Sequence, residues 1–331
     1  MRAYELRGNG LAGLTPVERA APRPGPGQVL VAIRAASINY RDLAIAEQLR
    51  KVRVPLSDGA GEVIATGPGV TAIRSGDRVA GTFFQQWVDG PWDAEKRKSA
   101  LGGPIDGVLA EQVVLEEMGV VKIPDGLSFE EAATLPCAGV TAWVGLMVHG
   151  GLKAGETVLA MGTGGVSIFA LQLAKTAGAR VILTSSHDEK LARGKALGAA
   201  EVINYREMPD WDARARELTG GCGVDHILEV GGAGTMPRSI RATRRGGHIS
   251  IVGILTGGWP DRELVAKADP RLRVDEVFVG SLRHFEALNE AIGRTGLRPV
   301  VDRVFPFEEA RQAYEHLRSG RHFGKVVIQI G

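Results

Sequence analysis

The chain is short of cysteine, of net charge and of long apolar runs, and each shortage excludes something. Only Cys137 and Cys222 are present, which excludes a disulfide framework and a structural zinc site built from cysteines. Charge is balanced, 40 Lys plus Arg against 38 Asp plus Glu, so no global basic field holds nucleic acid or an anionic membrane. Apolar windows are broken by glycine or charge well before the roughly 18 residues that a membrane span requires. Arg2 and Glu5 stand where a secretory leader would carry apolar residues, so the expected location is the cytoplasm. The seven histidines, at 149, 187, 226, 248, 284, 316 and 322, form no metal-ligand spacing such as a pair at i and i+4. Glycine, by contrast, is abundant at 45 of 331 residues, roughly twice the usual share and without a collagen-like period, so the chain makes many tight turns. Its length predicts two domains.

Two textures alternate along the chain. Up to about residue 125, short β-rich runs such as "QVLVAIRAASI" and "GEVIATG" are punctuated by Pro and Gly, as in "PRPGPGQ", a pattern that predicts a small, largely antiparallel barrel. From about residue 126, strand, glycine turn and helix repeat: "ETVLAMGTGG" then "VSIFALQLAKTAG", "RVILTSS" then "DEKLARGKALG", "VDHILEVGG" then "TMPRSIRATRRGG", and finally "HISIVGIL". Continuous apolar strands alternating with amphipathic segments are what a parallel sheet covered on both faces requires. The tail returns to mixed texture, with a helix in "FEEARQAYEHLRSG" and a last strand in "GKVVIQI".

In "AMGTGGVS" the glycines fall at 162, 164 and 165, after a strand and at the start of a helix. Gly162 suits the tight turn, Gly164 lets a pyrophosphate approach the backbone, and Ser167 is small enough for close helix-to-strand packing. The helix N-terminal N–H groups and dipole favour an anion there. With further strand-helix units around it, the motif predicts dinucleotide binding.

The landmarks "PGPGQVLVAIRAASINYRD", "GAGEVIATGPGV", "EEAATLPCAGVTAW", "VLAMGTGGVSIFALQLAKTAGA", "LGAAEVINYRE" and "HFGKVVI" occur in order almost from end to end. On them the chain resembles the medium-chain dehydrogenase/reductase superfamily, in its zinc-free, quinone oxidoreductase-like branch. The resemblance implies an α/β protein: a Rossmann doubly wound parallel sheet over 126–280, and a barrel-like (GroES-like), mostly β catalytic domain from 1–125 and 281–331. It also implies a homodimer.

Departures from the family pattern bear on chemistry. Where the zinc alcohol dehydrogenases carry Cys and a His-Glu pair as catalytic ligands, this chain has Asn39, then Ser57 and Asp58; Cys137 alone keeps a ligand position, and Arg41 replaces the relay hydroxyl. One thiolate and one carboxylate do not make a three-ligand zinc set, so no zinc is expected. Carbonyl polarisation then falls to hydrogen-bond donors, and Tyr40, in the loop that the family directs at the nicotinamide, is the candidate. The resemblance places Phe83 at the substrate-pocket aromatic, followed by Trp87 and Trp92 in a loop of lid-like composition. Asn39 and Thr141 are carried over to the nicotinamide side, and Thr163, Gly164, Gly165 and Val166 to the pyrophosphate. Val230, Ile254 and Val279 are carried over to the adenosine and carboxamide sides, and Phe323 and Lys325 to the closing tail.

Enzymes that select NAD place an acidic residue after the second Rossmann strand. Here Ser185 and Ser186 stand there, with Lys190 one turn on and Tyr205 after the next strand; in the resembling branch the Lys and Tyr positions approach a 2′-phosphate, which predicts NADPH. Ser186 with Glu189 also fits a capping box, and Asp188 opposes a phosphate. The expected activity is zinc-independent hydride transfer between NADPH and a small apolar enone, quinone or aldehyde. The alternatives are an NAD(P)-dependent alcohol dehydrogenase, a dinucleotide-binding protein without catalysis, or a methyltransferase, against which the barrel-like first third and the "HFGK" tail argue.

Overall fold

The computed structural model describes residues 1–48 and 51–331. They divide into two compact units, one of Met1–Val140 with Gly280–Gly331 and one of Thr141–Val279. In chain order the first unit contributes β1 (Arg2–Leu6), β2 (Leu14–Glu18), β3 (Gln28–Ile38), β4 (Asp58–Thr66), β5 (Arg78–Gly81), β6 (Gln112–Glu116) and β7 (Val120–Lys122). The second holds β8 (Thr157–Ala160), β9 (Arg180–Ser185), β10 (Glu201–Asn204), β11 (Val224–Glu229), β12 (Thr243–Ile251) and β13 (Arg273–Glu276). The first resumes with β14 (Val301–Pro306) and β15 (Lys325–Gln329).

The first unit is organised by the β-branched and small residues of β3, which pairs antiparallel with β4, β6 and β15. Its seven-stranded sheet runs β14-β15-β3-β4-β5-β7, with β6 added to β3. Leu6, Ile38, Leu56, Leu101, Leu109, Val326 and Ile328 are buried in one core with Tyr314.

The second unit is a six-stranded parallel sheet in the order β10-β9-β8-β11-β12-β13. β8 is wholly buried, as a strand covered on both faces must be. The chain winds outward from β8 through β9 and β10, then returns to β11 on the other side, so a topological switch point lies at the carboxyl ends of β8 and β11.

Three features differ from expectation. The units divide at Val140/Thr141 rather than at 125/126, because the intervening segment is bonded into the first unit: Ser37 Oγ donates to Ala133 O (2.9 Å), Cys137 N to Asp58 (3.1 Å), and Arg298 pairs with Glu131 (2.7 Å). β12 begins at Thr243, inside the stretch read as helix, because the helix Met236–Ala242 stops at an extended Thr243. The capping box at Ser186 does not form: His187 is the N-cap of the helix Asp188–Leu197, and the Ser186 hydroxyl bonds the His187 ring instead (2.8 Å).

Candidate active site

In the second unit, β8 ends in the glycine turn and the helix Gly165–Thr176. Gly162 has φ +75° with no atom within 4 Å of where a Cβ would stand, a backbone state that glycine enters without strain. Its N–H is fixed by Thr184 Oγ1 at the end of β9 (3.1 Å), and Ser167 Oγ ties the helix back to Met161 O (2.5 Å). Gly164 is the N-cap and no side chain caps the helix. The first-turn N–H groups of Gly164, Gly165 and Val166 therefore stand at the positive end of the helix dipole, beside a buried Thr163.

The ends of the neighbouring strands carry the other residues expected here. Ser185 is buried and its hydroxyl accepts from His187 N (3.3 Å). Lys190 is half-buried in the first turn after β9, and Tyr205, just past β10, is exposed. Asp188, the acid that opposes a phosphate, has one carboxylate oxygen held by Asn204 Nδ2 at 2.8 Å. Val230 follows β11 directly, Ile254 lies exposed after β12, and Val279 is buried with φ +63°, a strained state for a β-branched residue. Thr141 is buried at the start of the unit. Sequence reasoning missed Glu229. Fully buried at the end of β11, it accepts from the N–H groups of Gly231 (2.7 Å) and Gly232 (3.1 Å) and from the hydroxyls of Thr235 (2.7 Å) and Ser239. One carboxylate thus shapes the whole loop that holds Val230.

The first unit gathers a buried polar cluster. β15 projects Lys325 inward, 3% exposed, where Nζ donates to Ile38 O (2.9 Å) and Asn39 Oδ1 (2.5 Å) and lies 3.8 Å from Asp58 Oδ2. Asp58, at the start of β4, is fully buried and also accepts from Ser57 Oγ (2.6 Å) and, across the wide π turn Leu135–Gly139, from Cys137 N (3.1 Å). Burial, and secondarily the charge of Asp58, push the Cys137 thiol well above its usual pKa. Asp42 accepts from Asn39 N (2.8 Å), and burial pushes its pKa up to about 6 against the opposing pull of Arg41. Asn39 Nδ2 is buried and has no hydrogen-bond partner among the described residues.

Around this cluster, Tyr40 opens the helix Tyr40–Gln48 and is 58% exposed. The Arg41 guanidinium stacks over Phe83 (4.6 Å to the ring centroid) and donates to Leu101 O (3.1 Å). Phe83 and Trp87 are buried and linked through Phe84. Trp87 is pinned by its ring N–H on Gly90 O (2.9 Å) and by its carbonyl, which accepts from Leu282 N (2.9 Å). It is therefore a wall of the interior. Phe323 is buried two residues before Lys325.

Two family models match, the alcohol dehydrogenase GroES-like domain over residues 25–125 and the zinc-binding dehydrogenase domain over residues 165–294. A zinc-type alcohol dehydrogenase-like protein of Schizosaccharomyces pombe is 42% identical over 97% of this chain and 96% of its own. The chain belongs to the medium-chain dehydrogenase/reductase superfamily. A Sinorhizobium meliloti structure assigned as an alcohol dehydrogenase superposes with a TM-score of 0.91 at 42% identity, covering 99% of this chain and 98% of that one. A mycobacterial superfamily member solved in complex with NADPH superposes with a TM-score of 0.82 at 28% identity, covering 99% of each chain. Quinone oxidoreductases match as well. This superfamily chain is an oxidoreductase of the alcohol dehydrogenase and quinone oxidoreductase-like kind, with a Rossmann-like parallel sheet and a separate GroES-like sheet domain.

Proposed function

We propose that this oxidoreductase transfers hydride between NADPH and a small apolar carbonyl, enone or quinone without zinc. The observation that carries this is the ammonium of Lys325 buried 3.8 Å from Asp58. A catalytic zinc takes three protein ligands, with cysteine as the thiolate. At the candidate positions Asn39 Oδ1 accepts from Lys325, both Asp58 oxygens accept from neighbours, and burial, with the charge of Asp58, pushes the Cys137 thiol up. A second cation would meet the ammonium. These residues do not fit zinc, and no catalytic step is assigned to one.

The second unit fits a dinucleotide: the first-turn N–H groups from Gly164 to Val166 suit the pyrophosphate, with Thr163 beside them. Ser185, Ser186, Lys190 and Tyr205 suit a 2′-phosphate, and the bond from Asn204 to Asp188 turns the nearby carboxylate to another task. Val230, Ile254 and Val279 would line the adenosine and carboxamide sides, with Thr141 and Asn39 toward the nicotinamide. The bound nicotinamide would supply the hydride. Phe83 and Trp87 give the substrate an apolar wall, and the exposed phenol of Tyr40 is the candidate proton donor. Phe323 and Lys325 would close over the cofactor from the tail, and we assign the enzyme to the cytoplasm as a homodimer.

Steady-state kinetics with both cofactors test this directly. NADPH should give the higher kcat/KM, and Lys190→Ala should lose about 10- to 100-fold with NADPH but little with NADH, as for a charged hydrogen bond. Stoichiometric zinc whose chelation abolishes turnover would overturn the zinc-free assignment in favour of a zinc alcohol dehydrogenase.

A further inference from the structure

We propose that Lys325 is a positioning residue that locks the Asn39 side-chain amide in one orientation, so that Asn39 offers its ligand a hydrogen-bond donor and never an acceptor. The ligand chemistry this selects is a carbonyl-type oxygen, on the cofactor carboxamide or on the substrate. The proposal rests on the nicotinamide-oxidoreductase assignment above.

An asparagine amide is ambiguous in isolation, since exchanging its oxygen and nitrogen changes the shape very little. Here its neighbour removes the ambiguity. An ammonium has three donors and no acceptor. Lys325 directs one donor at Ile38 O (2.9 Å) and one at Asn39 Oδ1 (2.5 Å), with Asp58 beyond at 3.8 Å. Turning the amide over would set two N–H groups against an ammonium in a water-poor interior, where repulsion is weakly screened. The backbone is fixed as well, because Asn39 N donates to Asp42 Oδ2 (2.8 Å). Both ends of Asn39 are therefore held while Nδ2 remains buried without a partner among the described residues. A buried donor with nothing to bond costs stability. Binding an acceptor oxygen removes that cost, and a ligand group that is itself a donor gains nothing there.

Asp58 completes the device. It balances the lysine charge, and its remaining capacity is taken by Ser57 Oγ (2.6 Å) and Cys137 N (3.1 Å). Lysine on β15, asparagine one residue past β3 and aspartate at the start of β4 are held by three adjacent strands of one sheet.

The test compares Asn39→Asp, Asn39→Ala, Lys325→Met and Lys325→Arg in the full-length protein. NADPH affinity is read by fluorescence titration, KM and kcat with a small enone, and folding by thermal melting. Asn39→Asp keeps the shape, and its melting temperature reports what a third carboxylate beside Asp42 and Asp58 costs. Ionised against Lys325 it presents only acceptors and should lose about tenfold or more, and more than Asn39→Ala. Loss in NADPH affinity assigns the oxygen to the cofactor, and loss in enone KM assigns it to the substrate. Lys325→Arg should retain more than Lys325→Met. Equal behaviour of Asn39→Asp and Asn39→Ala overturns the donor role. A ligand-free measurement separates this from the functional assignment: the 15N side-chain amide signal of Asn39, identified by its loss in Asn39→Asp, should shift in Lys325→Met. An unmoved signal overturns the clamp even if wild type binds NADPH. A moved signal in a protein that binds no dinucleotide keeps the clamp and overturns the functional assignment.

Discussion

The two units prepare for a ligand by opposite means. At the switch point of the parallel sheet the groups on offer belong to the backbone: uncapped N–H groups of a helix whose preceding turn is open because residue 162 is glycine with φ +75°. In the first unit the backbone only delivers side chains, and Lys325, Asn39, Asp58, Ser57 and Asp42 fix one another. A backbone site depends on what is missing, so an added side chain destroys it while the fold survives. A side-chain cluster depends on every member, so removing one leaves the others buried and unsatisfied.

Asp58→Leu should be the most damaging change. It leaves the Lys325 ammonium buried without its counter-charge and strips the partners from Ser57 Oγ and Cys137 N, a loss of about 3–5 kcal/mol by analogy with broken buried ion pairs. Urea unfolding should show the loss in the first unit, with the second unit's transition in place; a shift below about 1 kcal/mol would mean that the cluster does not act as a unit.

Gly164→Val probes the other half. Residue 164 has φ −76° and ψ 178°, which valine adopts freely, so the far-UV spectrum should be unchanged. NADPH affinity should fall about 100-fold or more, because the side chain covers the N–H groups that a pyrophosphate needs. Retained affinity in a fluorescence titration would remove the backbone site from the comparison.

The smallest effect separates the units by pH. His248, within reach of His226 (3.4 Å) and Asp275 (3.0 Å), has its pKa pushed down to about 4, first by burial. The unfolded chain then binds the proton first, so this contribution is complete above about pH 6.5 and is lost as pH falls towards 4. Asp42, pushed up to about 6 by burial, has the opposite sign. Its contribution is complete below the ordinary Asp value and is lost as pH rises through 6. Between pH 4 and 6.5, His248→Asn should therefore flatten an acid-side fall in melting temperature and Asp42→Asn should steepen it. Parallel profiles in the two variants would refute the assignment.

The glycine spacing at 162, 164 and 165 was legible because a tight turn demands a particular residue at a particular position, and the strand-helix alternation showed the parallel sheet in the same way. The polar cluster was legible only residue by residue. Asn39, Ser57, Asp58 and Cys137 drew attention as departures from a ligand set, but the bond from Lys325 to Asn39 spans 286 positions, and no local period encodes such a pairing. Glu229 escaped for a related reason: in "HILEVGG" it resembles a strand-end charge, and its burial against Gly231, Gly232, Thr235 and Ser239 is created by the loop that folds back over it. The helix start at Asp188 went to His187 rather than Ser186 because the serine hydroxyl bonds the neighbouring imidazole.

The pairing of β15 with β3, Val326 against Ile38 and Gln329 against Ala35, sets a timetable for synthesis. A ribosome releases β3 long before β15, and domains generally fold as units during translation. Thr141–Val279 is one uninterrupted segment and is free to fold as it emerges. The first unit must wait with an unpaired strand edge, the kind of edge that invites pairing with another chain. Its polar cluster stays open until Lys325 leaves the exit tunnel, so a strand made long after its partners is the one that closes the cluster.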